Sequence, residues 1–420
     1  MTKLVGSDKS FETAVIDNVN ICGSCTVGAG TVIDEPGTYV CVPAKKNKLR
    51  DRNMRVLILA NIGLGLYKFR RELLEELVKD NEVYFCIPDD EYVEPIKAIG
   101  CQFIDNPLLD RHGTNPIQDL KLISFYKKVL QDIKPDIVFT YTIKCNAYGG
   151  MACASLGVPY VANVTGLGMA IENGGLMQKI SLALYKMGLR KAQKVFFQNT
   201  ENRDFMVSRG VVKGACDMLP GSGVNLKMNC VEPYPDDKDG IRFLFVGRIM
   251  KDKGIVELLE AIHQIHKEHR NVTLDIVGGS DEDYSEALKK AEQEGSIHYC
   301  GFQSDVHPFY TNCHCAVLPS YHEGTANVML EASSTGRPVI TTRVPGCKET
   351  FDEGITGFGC EAKSTESLVE AMKKFLSVSQ DQRREMGLAA RAKMEAEYDR
   401  NFVIEAYREE IKRIAAGLPD

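Results

Sequence analysis

The sequence predicts an α/β protein in which two doubly wound domains of similar size face each other. Two observations support this prediction. From Met54 onward, short apolar runs alternate with helical segments, which is typical of a parallel sheet covered by helices on both faces. The alternation stops once, at the polar stretch CVEPYPDDKDG of residues 230–240, and then begins again. The cleft between two such domains is the usual place for a ligand.

The first domain is predicted to span residues 54–235. Its buried strands are indicated by six apolar runs, RVLILA, EVYFCI, CQFI, DIVFTY, PYVANV and KVFFQN. The second domain, 236–397, repeats the pattern with IRFLFVG, VTLDIVGG, IHYCG, CAVLPS and RPVITT. Residues 398–420 are predicted to form a helix that crosses back to the first domain.

Residues 1–53 lie outside this alternation. Apolar residues recur there with a six-residue period, which predicts a coil of a parallel β-helix: Val15, Ile21, Val27 and Ile33. The stretch VGAGTVIDEPGTYVCVPAKK resembles the C-terminal end of hexapeptide-repeat acyltransferases. So short a segment cannot bury a core, and it lacks the histidine that serves as that family's base. We therefore expect activity to reside from Met54 onward, and the cysteines of CGSC to be structural rather than redox-active.

Composition excludes several classes of protein. The formal net charge of −6 argues against a nucleic-acid binder, whose surface would be basic. No apolar run is long enough to span a membrane, and the N-terminal residues lack the pattern of a signal peptide. The 14 cysteines are scattered, many within apolar runs, which fits a reducing cytoplasm better than a disulfide framework.

The stretch CHCAVLPSYHEGTANVMLE, residues 313–331, allows two interpretations. Cys313, His314, Cys315 and His322 could suggest a zinc site. On a strand, however, the two cysteines share one face while His314 points to the other, and His322 lies beyond the strand. The usual zinc-ligand spacings are also missing, so we predict no metal site here.

The second interpretation is a pocket for hydroxyls and phosphate. Gly324 permits a tight turn. The next helix would begin with Thr325, Ala326 and Asn327, whose free backbone N–H groups could bind a phosphate. Glu323 precedes the turn, where it can meet a sugar hydroxyl. Glu331 lies one helical turn further on, where a carboxylate can accept hydrogen bonds from a ribose. The alternative is that both glutamates are solvated surface residues.

Cations that could face this pocket occur in VGRIMKDKG, at the end of another predicted strand. Arg248 follows Gly247, and Lys253 lies in the next loop. An arginine and a lysine placed in this way can bind a diphosphate and neutralise the charge that develops as it leaves.

Together these motifs resemble family 4 of the retaining glycosyltransferases, which have the two-domain GT-B fold. The resemblance runs from Met54 to about residue 417. It implies that Arg248 and Lys253 hold the diphosphate of a nucleotide-sugar, that Glu323 contacts the sugar, and that Glu331 contacts the ribose. In GSGVNL, the segment that resembles the interdomain motif, Asn225 replaces the family's usual aspartate.

The acceptor side is predicted from the first domain. In ANIGLGLYKFRREL, Gly63 and Gly65 would let the backbone approach a ligand closely. YTIKCNAYGG and NVTGLGMA resemble a branch that extends bacterial surface polysaccharides on lipid carriers, although a cysteine replaces the proline usual in the first motif. From that resemblance we select Lys144, Thr165 and Gly166 as acceptor-side residues.

We therefore predict a metal-independent, retaining hexosyltransferase whose donor is a nucleotide-diphosphate sugar, with UDP as the expected nucleotide. The expected acceptor is a glycan or a polyprenyl-linked glycan. The basic helical segment at 176–194 would attach the protein to an anionic bilayer from the cytoplasmic side. The alternative is that it is a core helix of the first domain with a basic outer face. Two alternatives stay open, namely a GT-B nucleotide-sugar epimerase and an inactive scaffold.

Overall fold

The computed structural model describes residues 53–110, 115–168, 171, 174–280 and 282–417. Of the first 52 residues, it describes only the backbone of four strands: β1 (Lys3–Ser7), β2 (Phe11–Val15), β3 (Val32–Glu35) and β4 (Thr38–Cys41). They pair antiparallel in the order β1-β2-β4-β3. Coils of a β-helix stack in parallel, so the structure does not support the predicted hexapeptide-repeat segment. Two of its six-residue-period positions, Ile21 and Val27, lie outside the described residues.

The first domain contains a seven-stranded parallel sheet in the order β11-β10-β9-β8-β5-β6-β7. Its strands are β5 (Met54–Leu59), β6 (Asn81–Ile87), β7 (Gln102–Asp105), β8 (Ile137–Tyr141), β9 (Tyr160–Val164), β10 (Lys194–Phe197) and β11 (Cys216–Met218). The helices between them are α1 (Gly63–Leu77), α2 (Val93–Ile99), α3 (Pro116–Ile133), α4 (Gly150–Leu156), α5 (Gly175–Leu189) and α6 (Thr200–Ser208). A π-helical turn, Cys145–Gly149, runs directly into α4.

The second domain contains a six-stranded parallel sheet in the order β14-β13-β12-β15-β16-β17. Its strands are β12 (Ile241–Val246), β13 (Val272–Val277), β14 (Ile297–Gly301), β15 (Cys315–Leu318), β16 (Val339–Thr342) and β17 (Gly357–Cys360). The helices are α7 (Ile255–Glu268), α8 (Ser285–Gln293), α9 (His307–Asn312), α10 (Asn327–Ser334), α11 (Thr365–Ser377), α12 (Gln380–Glu397) and α13 (Arg400–Ala415).

Side-chain spacing explains which faces of these elements are buried. In β8 all five residues are buried, as expected for a central strand covered on both sides. In α7 the buried residues Leu258, Ile262 and Ile265 follow the helical repeat and pack into the core of the second domain.

Each sheet has a point where the strand order reverses, between β5 and β8 in the first domain and between β12 and β15 in the second. Loops that leave adjacent strands at such a point run in opposite directions and open a crevice at the carboxyl ends of the strands. The fold therefore provides two crevices, one in each domain.

Helix α13 follows the second domain in sequence but packs on the first. The hydroxyl of Tyr407, fully buried, accepts a hydrogen bond from Tyr141 at 2.6 Å and donates one to Asn163. Arg408 of the same helix forms an ion pair with Glu76 of α1 at 2.9 Å. Among the described helices, none is long and apolar enough to cross a membrane.

Candidate active site

A cavity of about 400 Å³ lies between the two domains. Both crevices contribute to it, because its walls include residues that follow β5, β8, β12 and β15. The first domain supplies Ala60, Asn61, Gly65, Arg70, Thr142 and Thr165, among others. The second supplies Gly247, Arg248, Lys253, Glu323, Gly324, Thr325, Ala326 and Asn327. Eight of the nine residues predicted to bind the donor therefore line one cavity.

Lys253 and Glu323 form an ion pair inside the cavity. The Lys253 Nζ donates to Glu323 Oε1, which also accepts a hydrogen bond from the Ser320 hydroxyl at 2.8 Å. The two charged side chains are only 20% and 14% exposed. Gly254, at φ 72°, ends the turn that carries Lys253, and a Cβ there would lie 2.2 Å from the Pro319 carbonyl oxygen. A diphosphate that binds Lys253 therefore meets a cation already paired with a carboxylate.

Gly324 lies at a close contact between the second domain and the first. A Cβ at this position would lie 1.9 Å from the Thr165 carbonyl oxygen, so a larger residue would push the two domains apart. Asn199 Nδ2 of the first domain donates to the Gly324 carbonyl at 3.0 Å. Glycine is therefore required here by the contact between the domains. The sequence had indicated only that Gly324 permits a tight turn.

At the start of α10, more backbone N–H groups have hydrogen-bond acceptors within the protein than the sequence predicted. The backbone N–H of Ala326 donates to the Gly346 carbonyl at 2.7 Å, and that of Asn327 donates to the Thr325 carbonyl at 2.9 Å. The Asn327 side chain accepts a hydrogen bond from Ser222 at 2.8 Å. Two of the amide groups predicted to meet a phosphate therefore already have acceptors.

Glu331 lies one turn into α10 but is not among the residues that line the cavity. Its Oε2 accepts a hydrogen bond from the hydroxyl of Tyr310 at 2.9 Å. Burial raises the pKa of Glu331, and the hydrogen bond from Tyr310 and the nearby charges of Arg400 and Lys68 only partly oppose this effect. Glu331 is therefore a partly buried carboxyl hydrogen-bonded to Tyr310 rather than a solvated surface residue.

The predicted acceptor-side residues fall into two groups. Gly65 and Thr165 line the main cavity, and Thr165 also borders an adjoining cavity of about 370 Å³, which Gly166 lines as well. Gly63 and Lys144 line neither cavity.

The positions of Gly63 and Lys144 have local explanations. The Gly63 N–H donates to Asp90 at 2.7 Å, and a Cβ on Gly63 would meet the same carboxylate at 2.4 Å, so this glycine serves the strand-to-helix turn. Lys144 lies 3.4 Å from the carboxylate of Asp119 on α3 and forms an ion pair with it.

Sequence reasoning missed several residues that line the cavity, and two of them, Thr142 and Arg70, have unusual environments. Thr142 has φ 68°, a left-handed conformation that a β-branched residue rarely adopts, and it lines both cavities. Arg70 is 5% exposed and lines the main cavity. Its signal was present in the sequence, because Arg70 occupies the same helical stripe as the buried Leu66, Leu73 and Leu77. No sequence pattern that we recognised indicates the conformation of Thr142.

The cysteines and histidines of the alternative zinc site do not converge. Cys313 and Cys315 are fully buried, and burial raises the pKa of the Cys313 thiol to about 12. His314 Nδ1 accepts a hydrogen bond from the Arg242 N–H at 3.0 Å, whereas His322 lies 3.6 Å from Asp252 at the adjoining cavity. The histidines thus have separate partners, and the thiols are protonated core residues.

Asn225 replaces the aspartate that is usual in the interdomain motif, and its hydrogen bonds show the consequence. Its side-chain oxygen accepts hydrogen bonds from the N–H groups of Lys227 and Met228, both at 3.0 Å, while its NH₂ group donates to Glu72. Burial would raise the pKa of Glu72, but the charge of Arg400 and the hydrogen bond from Asn225 outweigh it and lower that pKa. An aspartate could accept the same two hydrogen bonds but could not donate to Glu72.

Two family models match the chain, one for each domain. The model for glycosyl transferases 4-like matches residues 55–199, and that for glycosyl transferases group 1 matches residues 231–393. The chain is 32% identical over 375 residues to the capsular polysaccharide biosynthesis glycosyltransferase CapM of Staphylococcus aureus, with 85% of this chain and 89% of that protein covered.

A second relative, from Campylobacter jejuni, is N,N'-diacetylbacillosaminyl-diphospho-undecaprenol alpha-1,3-N-acetylgalactosaminyltransferase. It is 28% identical over 383 residues, with 87% of this chain and its own full length covered.

Solved structures agree on the fold. A sucrose-phosphate synthase from Thermosynechococcus elongatus superposes with a TM-score of 0.73 at 19% identity, covering 87% of this chain and 100% of that one. Anabaena HepE in complex with UDP-glucose gives 0.71 at 16% identity, covering 86% of this chain and 100% of that one. The similarity to CapM extends over nearly all of both proteins, and the two family models together cover both domains. The chain therefore belongs to the GT-B glycosyltransferases, with a first domain of the 4-like type and a second domain of group 1.

Proposed function

We propose that the protein transfers a hexose or N-acetylhexosamine, with retention of configuration, from a UDP-sugar to a lipid-linked glycan in surface polysaccharide biosynthesis. One observation carries the proposal: Arg248, Lys253 and Glu323 line a single cavity between the two domains. Two cations can hold a diphosphate there, and a carboxylate beside them can face the sugar. The relatives support the substrate classes, because one is named for transfer to a diphospho-undecaprenol acceptor and another for capsular polysaccharide synthesis.

In the proposed mechanism, the diphosphate of the donor takes the place of Glu323 as the partner of Lys253. Arg248 and Lys253 then stabilise the negative charge that develops on the departing diphosphate. Glu323, released from Lys253, accepts a hydrogen bond from a sugar hydroxyl and stabilises the positive charge that develops on the ring. The acceptor hydroxyl attacks from the face that the diphosphate leaves and passes its proton to a departing phosphate oxygen. These side chains perform the task of a metal ion, so we propose that none is needed.

The adjoining cavity of about 370 Å³ supports transfer over epimerisation. It shares Thr142, Thr165, Arg248 and Glu323 with the main cavity and extends to Gly166 on the first domain. An epimerase that binds only the donor has no use for a second space beside the reacting sugar. We therefore propose that the acceptor hydroxyl enters through this cavity.

Helix α5 supports attachment to a membrane surface. Four large apolar side chains are exposed on it, namely Leu176, Met177, Ile180 and Met187, with Leu176 73% exposed. Exposed basic residues occur along the same helix and just after it: Lys179, Lys186, Arg190 and Lys191. An apolar surface with basic neighbours fits an anionic bilayer, where a lipid-linked acceptor would be presented.

The test combines binding with product analysis. A panel of nucleotide-sugars is first screened by thermal shift, because a ligand that binds the native state raises its stability. The donor that binds is then radiolabelled and incubated with and without a polyprenyl-diphosphate-linked saccharide. Label that moves to the lipid fraction only when the acceptor is present supports the proposal. An epimerised donor without transfer would favour the epimerase, and no binding by any nucleotide-sugar would favour an inactive scaffold.

A further inference from the structure

Arg70 is a buried cation whose role the proposed mechanism does not explain. It belongs to α1 of the first domain, is 5% exposed and lines the main cavity. Among the residues that the structure describes, no carboxylate lies within ion-pair distance of its guanidinium. Its Nη1 donates to the neighbouring Phe69 carbonyl at 3.2 Å, and its guanidinium lies over the ring of Tyr141, 5.5 Å from the centroid. Neither contact supplies a negative charge.

The charges around the cavity are unbalanced. The described residues that line it include three cations, Arg70, Arg248 and Lys253, and one carboxylate, Glu323. Lys253 is paired with Glu323, whereas Arg70 is 5% exposed and has no carboxylate at ion-pair distance among the described residues. Because a buried charge is unfavourable without an anionic partner, Arg70 makes this cavity suited to an anion. A diphosphate carries a negative charge on each phosphate and would supply that partner.

The position of Arg70 indicates whether the anion belongs to the donor or to the acceptor. Arg70 borders the main cavity, together with Gly247 and the start of α10, but it does not border the adjoining cavity that we assign to the acceptor. We propose that Arg70 is a phosphate-binding residue that the first domain contributes to the donor diphosphate, opposite the two cations of the second domain. This inference rests on the proposed function for the identity of the donor, but binding of a diphosphate to Arg70 can be tested without it.

A competing explanation is that Arg70 is purely structural. The hydroxyls of Tyr141 and Tyr407 are hydrogen-bonded to each other beside it, and Tyr407 belongs to α13. In that case Arg70 would serve to fasten α13 to the first domain. Substitutions must therefore separate the charge of Arg70 from the integrity of this tyrosine pair.

The experiment measures, by isothermal titration of the full chain, the dissociation constants of UDP and of inorganic pyrophosphate. Arg70→Met should raise both by about 10-fold or more, because it removes a desolvated partner of a phosphate. Arg70→Lys should have a smaller effect, since it keeps the charge but loses the planar fork, and it carries the test if the methionine variant does not fold. Arg71→Met is the matched control: Arg71, the next residue of α1, is 45% exposed and paired with Glu75, so both constants should stay unchanged.

Three outcomes would overturn the inference or part of it. If Arg70→Met binds both probes as the wild type does but melts at a lower temperature, as Tyr407→Phe also would, Arg70 is structural. If UDP binding is unchanged while KM rises for a diphosphate-linked acceptor and not for a phosphate-free analogue, the phosphate is the acceptor's. If the wild type binds pyrophosphate through Arg70 but binds no nucleotide, the proposed function fails while the phosphate site stands.

Discussion

Substitution of Glu323 by glutamine should make the protein bind a nucleoside diphosphate more tightly while it catalyses more slowly. In the structure the cation of Lys253 is paired with Glu323, and both side chains are more than three-quarters buried. A diphosphate must compete with that carboxylate. Glutamine is nearly isosteric but uncharged, so Lys253 becomes available to the ligand before binding.

The size of the effect follows from the pair. Two unit charges in contact near a protein surface attract by roughly 4 kcal/mol. Most of this attraction is recovered when the diphosphate takes the place of Glu323, and the carboxylate released in that exchange also lies close to the incoming anion. A net gain of about 1.4 kcal/mol is therefore a conservative expectation, which corresponds to roughly 10-fold tighter binding of UDP. Turnover should fall by about 100-fold or more, because the group that stabilises the developing charge on the sugar is lost.

The assay is isothermal titration with UDP, combined with turnover at saturating donor. Ser320→Ala is the matched control, because it removes the 2.8 Å hydrogen bond to Glu323 without changing any charge. It should leave UDP affinity within about twofold of the wild type. If Glu323→Gln binds UDP no more tightly than the wild type, the diphosphate does not replace Glu323 as the partner of Lys253.

Three further predictions concern other parts of the molecule. The family resemblance assigns Glu331 to the ribose, although in the structure Glu331 accepts a hydrogen bond from Tyr310 and does not line the cavity. On that assignment, Glu331→Ala should weaken donor binding with little change in turnover at saturating donor, because ribose contacts are similar in the ground and transition states. An unchanged KM for the donor would contradict the assignment. Glu72 has a lowered pKa in the folded protein, so its ion pair with Arg400 stabilises the fold above pH about 4.5 and loses that contribution as pH falls below it. Chemical denaturation of Glu72→Gln should therefore show a shallower loss of stability in acid than the wild type, and parallel curves would exclude this role. Substitution of Lys186, Arg190 and Lys191 by glutamate should abolish binding to anionic vesicles. Substitution of the exposed Lys289 and Lys290 of the second domain by glutamate should have no effect.

The sequence predicted the fold, and it selected donor-side candidates that line one cavity in the structure, because both depend on local patterns. Continuous apolar runs such as the one in β8 predict central parallel strands. Arg248, Lys253 and Glu323 were selected because each follows a predicted strand, and the carboxyl ends of parallel strands meet at one edge of a sheet. These signals need no knowledge of distant partners.

Sequence reasoning was weakest where distant contacts decide the structure. Nothing near Lys144 in sequence indicates that it pairs with Asp119 on α3. Gly63 was assigned to ligand approach, whereas Asp90 determines its conformation. The six-residue period of residues 1–53 predicted parallel coils, but the described strands pair antiparallel, because periodicity alone does not specify the direction of the partner strand.

The return of α13 to the first domain has a consequence for biosynthesis of the chain. The buried pair Tyr141 and Tyr407 is separated by 266 residues. At about 5–20 residues per second, a ribosome needs roughly 13 to 50 seconds to pass from one to the other. Throughout that interval the surface of the first domain that Tyr407 covers stays exposed to solvent. This surface includes Tyr141 at the carboxyl end of β8 and Asn163 of β9. The first domain therefore completes its core only after the second domain has been synthesised, and a nascent chain halted before α13 would present that surface to chaperones.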